Sequence, residues 1–229
     1  MIKTLSLMKR KAGISREEFV SHYEEVHVPL SLNLLPWFRH YARNHFTKLV
    51  TPGEFGFDCL SQFWFDSLED PVKLMEFVQS DDGLPIREDE QKFLDTSATT
   101  PFLVEEKSSG ITEDAPTDGS LKTISFLKRK PGISRQEFES YYEANHVPLI
   151  VSRATGLIKY VRNYVVALDE TNEPLYDCIT ELWFRDLDAY KATMTRRLGE
   201  GRAEIEADEE KFLDMSSVVF VIVDERISK

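Results

Sequence analysis

The sequence is poor in cysteine: in 229 residues only Cys59 and Cys178 occur. Two thiols cannot build a metal-binding quartet or a disulfide framework. No run of about 18 or more apolar residues occurs, so nothing reads as a membrane span, and the opening MIKTLSLMKRKAG lacks a signal peptide's apolar centre. Positive charge is also scarce. Twenty-eight Lys and Arg stand against 40 Asp and Glu, a formal net charge of −12. Such an average field repels a phosphate backbone or an anionic membrane, so neither nucleic acid nor membrane is expected as a partner. Cytoplasm is the default compartment. There is no G-x-G-x-x-G, no Walker sequence and no G-x-S-x-G elbow, which removes nucleotide chemistry and serine hydrolysis.

What is present is a duplication. Hydrophobic residues make up 41% and charged residues 30% of the chain, a globular composition. KRKAGISREEF at Lys9–Phe19 returns as KRKPGISRQEF at Lys128–Phe138, and the same ungapped offset carries His27-Val28-Pro29-Leu30 onto His146-Val147-Pro148-Leu149. Tyr41, Arg43 and Asn44 fall on Tyr160, Arg162 and Asn163, Asp58-Cys59 on Asp177-Cys178, and Trp64-Phe65 on Trp183-Phe184. Roughly 40 identities over about 105 positions make this one domain written twice. Residues 1–106 and 121–229 form the two repeats, and the Gly-, Ser-, Pro- and Asp-rich stretch 107–120 reads as a linker.

Each repeat has the same element order. Ile2–Met8 and Leu121–Leu127 read as strands ending in a basic turn with Gly13 or Gly132. Ser15 with Glu18, and Ser134 with Glu137, form capping boxes that open a helix. Phe19, Tyr23, His27 and Leu30 repeat at helical spacing, as do Phe138, Tyr142, His146 and Leu149. Strands follow near 38–47 and 57–65, then a second helical stretch broken around 82–85, then a closing strand at 98–104, with counterparts in the second repeat. The order β-α-β-β-α-β is the ferredoxin-like unit, an antiparallel sheet with both helices on one face. The expected fold class is α+β: two ferredoxin-like βαββαβ repeats in one chain, which would bury each other's open sheet faces by meeting sheet to sheet.

The run K-R-K-x-G-I-S-R-x-E-F, then Y-x-x-x-H-V-P-L, Y-x-R-N and W-F, resembles the EthD domain of the dimeric α+β barrel superfamily, over nearly the whole chain and twice in register. The resemblance implies the fold: two ferredoxin-like halves closing into an α+β barrel within one chain. It implies function less directly, since the superfold carries many chemistries. Relatives include small isomerases, polyketide cyclases and decarboxylases acting on phenolic or lactone substrates without a metal. EthD itself is associated with a cytochrome P-450 system that degrades an alkyl ether, and more distant members are haem-degrading or cofactor-free oxygenases. Members with known sites bind ligand between helices and sheet.

His27 and His146 are the first catalytic candidates. Each shares an apolar helical face, where burial favours the neutral imidazole that takes or gives one proton. The competing assignment is a core histidine donating to the backbone carbonyl that Pro29 or Pro148 leaves without its amide. The resemblance to isomerases using a histidine at this motif supports the catalytic role. Tyr41, Arg43 and His45 share one strand face, as do Tyr160, Arg162 and Tyr164. They line either a pocket or a wet strand face at the barrel's edge. Tyr41 and Tyr160, matched by a tyrosine in related isomerases, are catalytic candidates. Arg43, Arg162, His45, Tyr23 and Tyr142 are candidate substrate contacts, the guanidinium groups suiting a carboxylate or phenolate.

Asn44 and Asn163, with His40 and Lys159, point to the opposite face, as groups bonding between the halves or at the surface. Asp58 and Asp177 read as turn or ladder-end acceptors, and Trp64 and Trp183 as packing. Where some isomerase relatives carry a reactive cysteine just before W-F, this chain has Phe63 and Leu182. Cys59 and Cys178 lie earlier and read as inert. The first repeat holds His22, His40 and His45 where the second has Tyr141, Lys159 and Tyr164, so the first is the candidate active copy. Its histidines lack metal-site spacing, and neither metal nor cofactor is expected. The leading expectation is a cofactor-independent decarboxylase, cyclase or isomerase for a small aromatic or lactone metabolite. The alternatives are a non-catalytic accessory or ligand-binding protein of a catabolic oxidation system, and a haem-binding or cofactor-free oxygenase. The partners expected are a small-molecule ligand and the other repeat, with further oligomerisation left open.

Overall fold

The computed structural model describes residues 1–111, 116–117, 119–154, 156–167, 173–198 and 202–228. Residues 112–115 and 118 of the expected linker lie outside the described residues. In the first repeat, strand β1 (Ile2–Met8) leads to helix α1 (Arg16–His22), a π-helical turn (Tyr23–His27) and helix α2 (Val28–Leu34). Strands β2 (Phe38–Leu49) and β3 (Cys59–Phe65), helices α3 (Glu69–Gln79) and α4 (Leu84–Phe93), and strand β4 (Thr100–Gly110) follow. The second repeat runs β5 (Leu121–Leu127), α5 (Arg135–Tyr141), a π-helical turn (Tyr142–His146), α6 (Val147–Arg153), β6 (Leu157–Val165) and β7 (Cys178–Phe184). It ends with α7 (Leu187–Leu198), α8 (Arg202–Phe212) and β8 (Val219–Ser228). The strand order β1-β3-β2-β8-β5-β7-β6-β4 closes an eight-stranded barrel. Among the described residues no helix is long and apolar enough to cross a membrane.

The chain divides into two compact units that exchange strand ends. One holds residues 1–46 and 54–104 together with the C-terminal segment from Asp224, and the other holds 47–53 and 105–223. The end of each repeat's last strand thus belongs to the unit built from the other repeat. In the second unit Ile111 N donates to Ile158 O at 3.1 Å. Lys107–Gly110, assigned to the linker by composition, are therefore strand. Small polar residues there signalled a loop, and hydrogen-bonding partners distant in sequence override that signal.

Local chemistry explains the helix that carries the histidines. Ser15 Oγ accepts from Glu18 N at 3.1 Å, and Glu18 Oε2 accepts from Ser15 N at 2.7 Å, closing the capping box. Gly13 at φ 90° makes the turn before it, a conformation that costs glycine little. Four residues after Tyr23 the helix changes register: Val28 N donates to Tyr23 O, five residues back. Pro29 has no amide hydrogen to contribute there, so the slip to π geometry sacrifices no donor at that position. Val147 N and Tyr142 O repeat the pattern.

Helix α4 lays Ile86, Asp89 and Phe93 against this segment. Phe93 is the hub, its ring centroid lying 5.7 Å from that of Phe19, 5.2 Å from Tyr23 and 5.1 Å from His27. On the sheet, a bulge between Phe38 and His40 shifts the alternation so that Phe38 and Tyr41 share the helix-covered face. Phe93→Ala should cost about 3–5 kcal/mol in urea denaturation through the cavity it leaves. Lys73→Ala, which removes an exposed pair with Glu69, should change stability by no more than about 0.5 kcal/mol.

Candidate active site

In the first unit the π-helical turn sits over the strand face bearing Tyr41, Arg43, His45, Cys59 and Ser61. His27 is 6% exposed. Its Nδ1 lies 3.0 Å from Asp89 Oδ2, and its Nε2 lies 3.2 Å from Ser31 Oγ. The other Asp89 oxygen lies 2.9 Å from His22 Nε2. Burial would raise the Asp89 carboxyl, but hydrogen bonds from His22 and His27 hold it below its ordinary value. Burial also lowers the His27 imidazole below its ordinary value, against the opposing pull of Asp89. The network therefore assigns a carboxylate and a neutral imidazole: Nδ1–H donates to Asp89, and the Nε2 lone pair accepts from the Ser31 hydroxyl. The histidine partner is a carboxylate, not the proline-freed carbonyl considered from sequence.

The second unit repeats the dyad, with His146 Nδ1 2.9 Å from Asp208 Oδ2. Tyr141 OH donates to Asp208 Oδ1 at 2.6 Å, where the first unit has His22. Ile150 stands where the first repeat has Ser31.

Beside each dyad lies a pair of phenols. Tyr41 OH donates to Tyr23 OH at 2.9 Å, and Tyr23 OH lies 2.6 Å from Ser61 Oγ. Tyr142 OH and Tyr160 OH are 2.8 Å apart. All four rings are buried. Burial pushes their ionisation well up, so each stays a neutral hydrogen-bond donor. The Tyr23 and His27 rings meet edge to face at 5.4 Å, which brings phenol and imidazole together.

Arg43 and Arg162 are buried, and the chain itself occupies their guanidinium forks. Arg43 Nε donates to Glu24 Oε1 at 3.0 Å and Nη2 to Oε2 at 2.5 Å. Arg162 binds Glu143 in the same way at 3.0 and 2.8 Å. The remaining Nη1 donates to Tyr41 O and Ser228 Oγ in the first unit, and to Tyr160 O and Ser109 Oγ in the second. The strand face considered wet is therefore dry, and the carboxylates that the arginines hold are Glu24 and Glu143. His45, fully buried, places Nε2 2.7 Å from Glu24 Oε1. Tyr164 OH makes the equivalent bond to Glu143 at 2.7 Å. Burial alone would lower the His45 imidazole, but Cys59 and Glu24 outweigh it and raise it to about 9.

The other assignments divide. Asp58 and Asp177 cap the basic turns by accepting from Arg10 N and Arg129 N, each at 2.9 Å. Asn44 and Asn163 are buried rather than at the surface, and each donates across its own hairpin, to Leu60 O or Ile179 O. A cavity of about 350 Å³ lies beside the basic turn, lined by Lys9–Ile14, Phe55, Gly56, Asp58 and Asp95, and neither His27 nor Tyr41 reaches it. Among the described residues no cluster of three or more His, Cys, Asp or Glu is arranged for a metal ion.

Sequence reasoning missed Asp89, Asp208, Glu24 and Glu143. A signal existed: Asp89 stands between Ile86 and Phe93 on the apolar stripe of its helix, and Asp208 stands likewise between Ile205 and Phe212. An acid on a buried stripe needs a partner.

The barrel of two ferredoxin-like units, with paired polar sites under the helices, is the dimeric α+β barrel class of fold. The EthD domain model matches residues 11–97 and again 130–216, so this chain belongs to the EthD domain family, in tandem. No curated protein sequence matches it. Among solved structures it is similar to an anthrone oxidase-like protein, at 12% identity over 99% of this chain and 92% of that one, with a TM-score of 0.65. A protein of Fusobacterium nucleatum, provisionally named a monooxygenase, is similar at 7% identity over 100% and 94%, with a TM-score of 0.61. A chlorite dismutase variant from Candidatus Nitrospira defluvii is similar at 11% identity over 97% and 91%, with a TM-score of 0.51. These likenesses establish the fold.

The two imidazoles of the first unit act oppositely on stability. His45, raised in the folded state, stabilises fully below its ordinary value of 6.5, and that contribution is lost as pH rises through about 9. His27, lowered on folding, leaves the unfolded chain binding more protons, so stability falls as pH drops below 6.5. Urea denaturation should therefore show an alkaline decline between pH 6.5 and 9 that is reduced in His45→Tyr, and an acid decline that is reduced in His27→Asn.

Proposed function

We propose that this protein is a cofactor-independent enzyme that moves a proton on a small aromatic or lactone metabolite, with an isomerase, decarboxylase or cyclase outcome. The observation that carries this reading is the buried Asp89–His27 dyad, repeated as Asp208–His146. Asp89 fixes the tautomer and stabilises the imidazolium that forms, while Nε2 is the basic atom. A substrate C–H or O–H bond reaches Nε2 by displacing the Ser31 hydroxyl, its one hydrogen-bonding contact among the described residues. Tyr41 and Tyr23, kept protonated by burial, donate toward the enolate or phenolate oxygen that develops. The Arg43–Glu24 pair sets the position of Tyr41 by holding its backbone carbonyl. The first repeat is the preferred active copy, because it alone has the hydroxyl beside Nε2 and a second imidazole on the carboxylate.

The test is solvent-deuterium incorporation, followed by mass spectrometry, across a panel of hydroxybenzoic acids, β-keto acids and unsaturated lactones. Exchange or turnover is expected with at least one class. It should fall by about 100-fold or more in His27→Asn, since a general base contributes on that order. Asparagine keeps an amide donor for Asp89, so the fold should persist. His146→Asn should cost less. Turnover undiminished in the double variant rejects the histidine mechanism. Tight binding with no chemistry supports the accessory-protein alternative, and product formed only with oxygen uptake supports an oxygenase.

A further inference from the structure

The cavity of about 350 Å³ beside the basic turn lies wholly within the first unit and apart from the dyad. The turn after β1 brings three cations to it, Lys9, Arg10 and Lys11. Two of them are engaged by the chain. Lys9 Nζ lies 3.5 Å from Asp95 Oδ2, and Lys11 Nζ donates to Gln91 O at 2.8 Å. Arg10 differs. Its main-chain N–H donates to Asp58 Oδ2 at 2.9 Å, but its Nε stays 3.6 Å from Asp58 Oδ1, and the guanidinium makes no hydrogen bond among the described residues. Phe55 gives the cavity an apolar wall, its ring stacked on Phe46 with centroids 5.5 Å apart, and Ile14, packed against the core, gives another. At Gly56 no atom lies within 4 Å of the place a Cβ would take. Lys11, Gly13 and Gly56 are exposed, so the cavity is reached from solvent. The second unit satisfies its matching arginine internally. Arg129 Nε donates to Ile133 O, Nη1 to Asp177, and Nη2 to Glu173 Oε1 at 2.8 Å, while Arg135 Nη2 holds the other Glu173 oxygen at 2.6 Å. In the first unit Arg16 Nε donates to Phe46 O instead, and Glu54, at the position of Glu173, pairs with neither arginine among the described residues. Pro174 and Leu175 stand where the first unit has Phe55 and Gly56.

We propose that this cavity is a binding site for a small aromatic monocarboxylate, with the Arg10 guanidinium holding the carboxylate and Phe55 packing against the ring. A planar fork with unspent donors matches a carboxylate in two parallel hydrogen bonds. The aromatic wall favours a ligand with a flat apolar body over a bare inorganic ion. Three cations stand against the carboxylates of Asp58 and Asp95, which matches a single negative charge and disfavours a phosphate dianion. The volume lies at the small end of ligand pockets, which run from about 300 to 1,000 Å³, and so selects a ligand of one ring. The assignment is independent of the reaction proposed for His27.

The experiment titrates sodium benzoate into the isotope-labelled full chain at neutral pH and follows the backbone amides by two-dimensional NMR. Inorganic phosphate and benzyl alcohol are titrated separately. Saturable shifts at the Gly13 and Gly56 amides are expected, with a Kd of about 1 mM or tighter. Phosphate and benzyl alcohol, each lacking one half of the recognised structure, should bind at least about tenfold more weakly. Arg10→Gln should weaken benzoate by about tenfold or more, the usual loss when charge-assisted hydrogen bonds are removed. Gly56→Leu gives the first unit the residue of the second, and should abolish binding by filling the space. Arg10 forms only a loose, partly exposed pair, so Arg10→Gln should fold, and it decides alone if Gly56→Leu does not. His27→Asn should bind benzoate as the wild type does, which separates this site from the dyad. No saturable shift at Gly13 or Gly56, equal affinity for phosphate or benzyl alcohol, unchanged affinity in Arg10→Gln, or shifts lost in His27→Asn would overturn the assignment.

Discussion

A guanidinium with almost no exposure must be fully satisfied, and the architecture of each half answers to that demand. Arg43 spends two donors on Glu24, which fixes the π-helical turn over the sheet, and a third on the carbonyl of Tyr41 and the hydroxyl of Ser228. Arg162 does the same with Glu143, Tyr160 and Ser109. Breaking such a pair from one side leaves a buried charge, with a cost of about 3–5 kcal/mol. Turn, strand and exchanged strand end are therefore held at one point. Bonds to Glu24 also draw its carboxyl down to about 2, against the burial that would raise it, so the clamp stays charged across the range in which proteins fold.

The π-helical turn connects that clamp to chemistry. Five residues in one wide turn give Tyr23, Glu24 and His27 distinct partners within a single segment: the Tyr41 phenol, the Arg43 guanidinium and the Asp89 carboxylate. A proline just after the turn removes the donor that would otherwise favour regular α geometry. Helix α4 then supplies the carboxylate. The site is thus built from a strand, a turn and a helix that are far apart in sequence, and each is held by packing around Phe93 or Phe212.

Duplication followed by divergence has made the halves electrostatically unlike. The dyad, the tyrosine pair and the arginine clamp occur in both. His22, Ser31 and His45 occur in the first alone, replaced by Tyr141, Ile150 and Tyr164. Each replacement removes a nitrogen or hydroxyl able to carry a proton to its neighbour, or moves a donor to a phenol that holds its proton firmly. The shared parts occur in both halves, and the differing parts set the hydrogen-bonding groups around each dyad.

The sequence alone determined the duplication and the element order, because periodicity, capping boxes and a repeated offset are local or self-referential signals, and the barrel class followed from the resemblance of its motifs to the EthD domain. It also placed His27, Tyr41, Arg43 and His45 on faces that meet, since strand alternation and helical spacing fix direction. What the tertiary structure decided was the partner of each group. Asp89 reaches His27 across 62 residues and Ser228 reaches Arg43 across 185. Whether Arg43 faces a ligand or the chain's own Glu24, and whether Lys107–Gly110 is loop or strand, depends on which distant groups arrive. A single strand or helix carries no record of that in its own residues, because side-chain pairing across a fold is set by packing and by the need to satisfy buried charge.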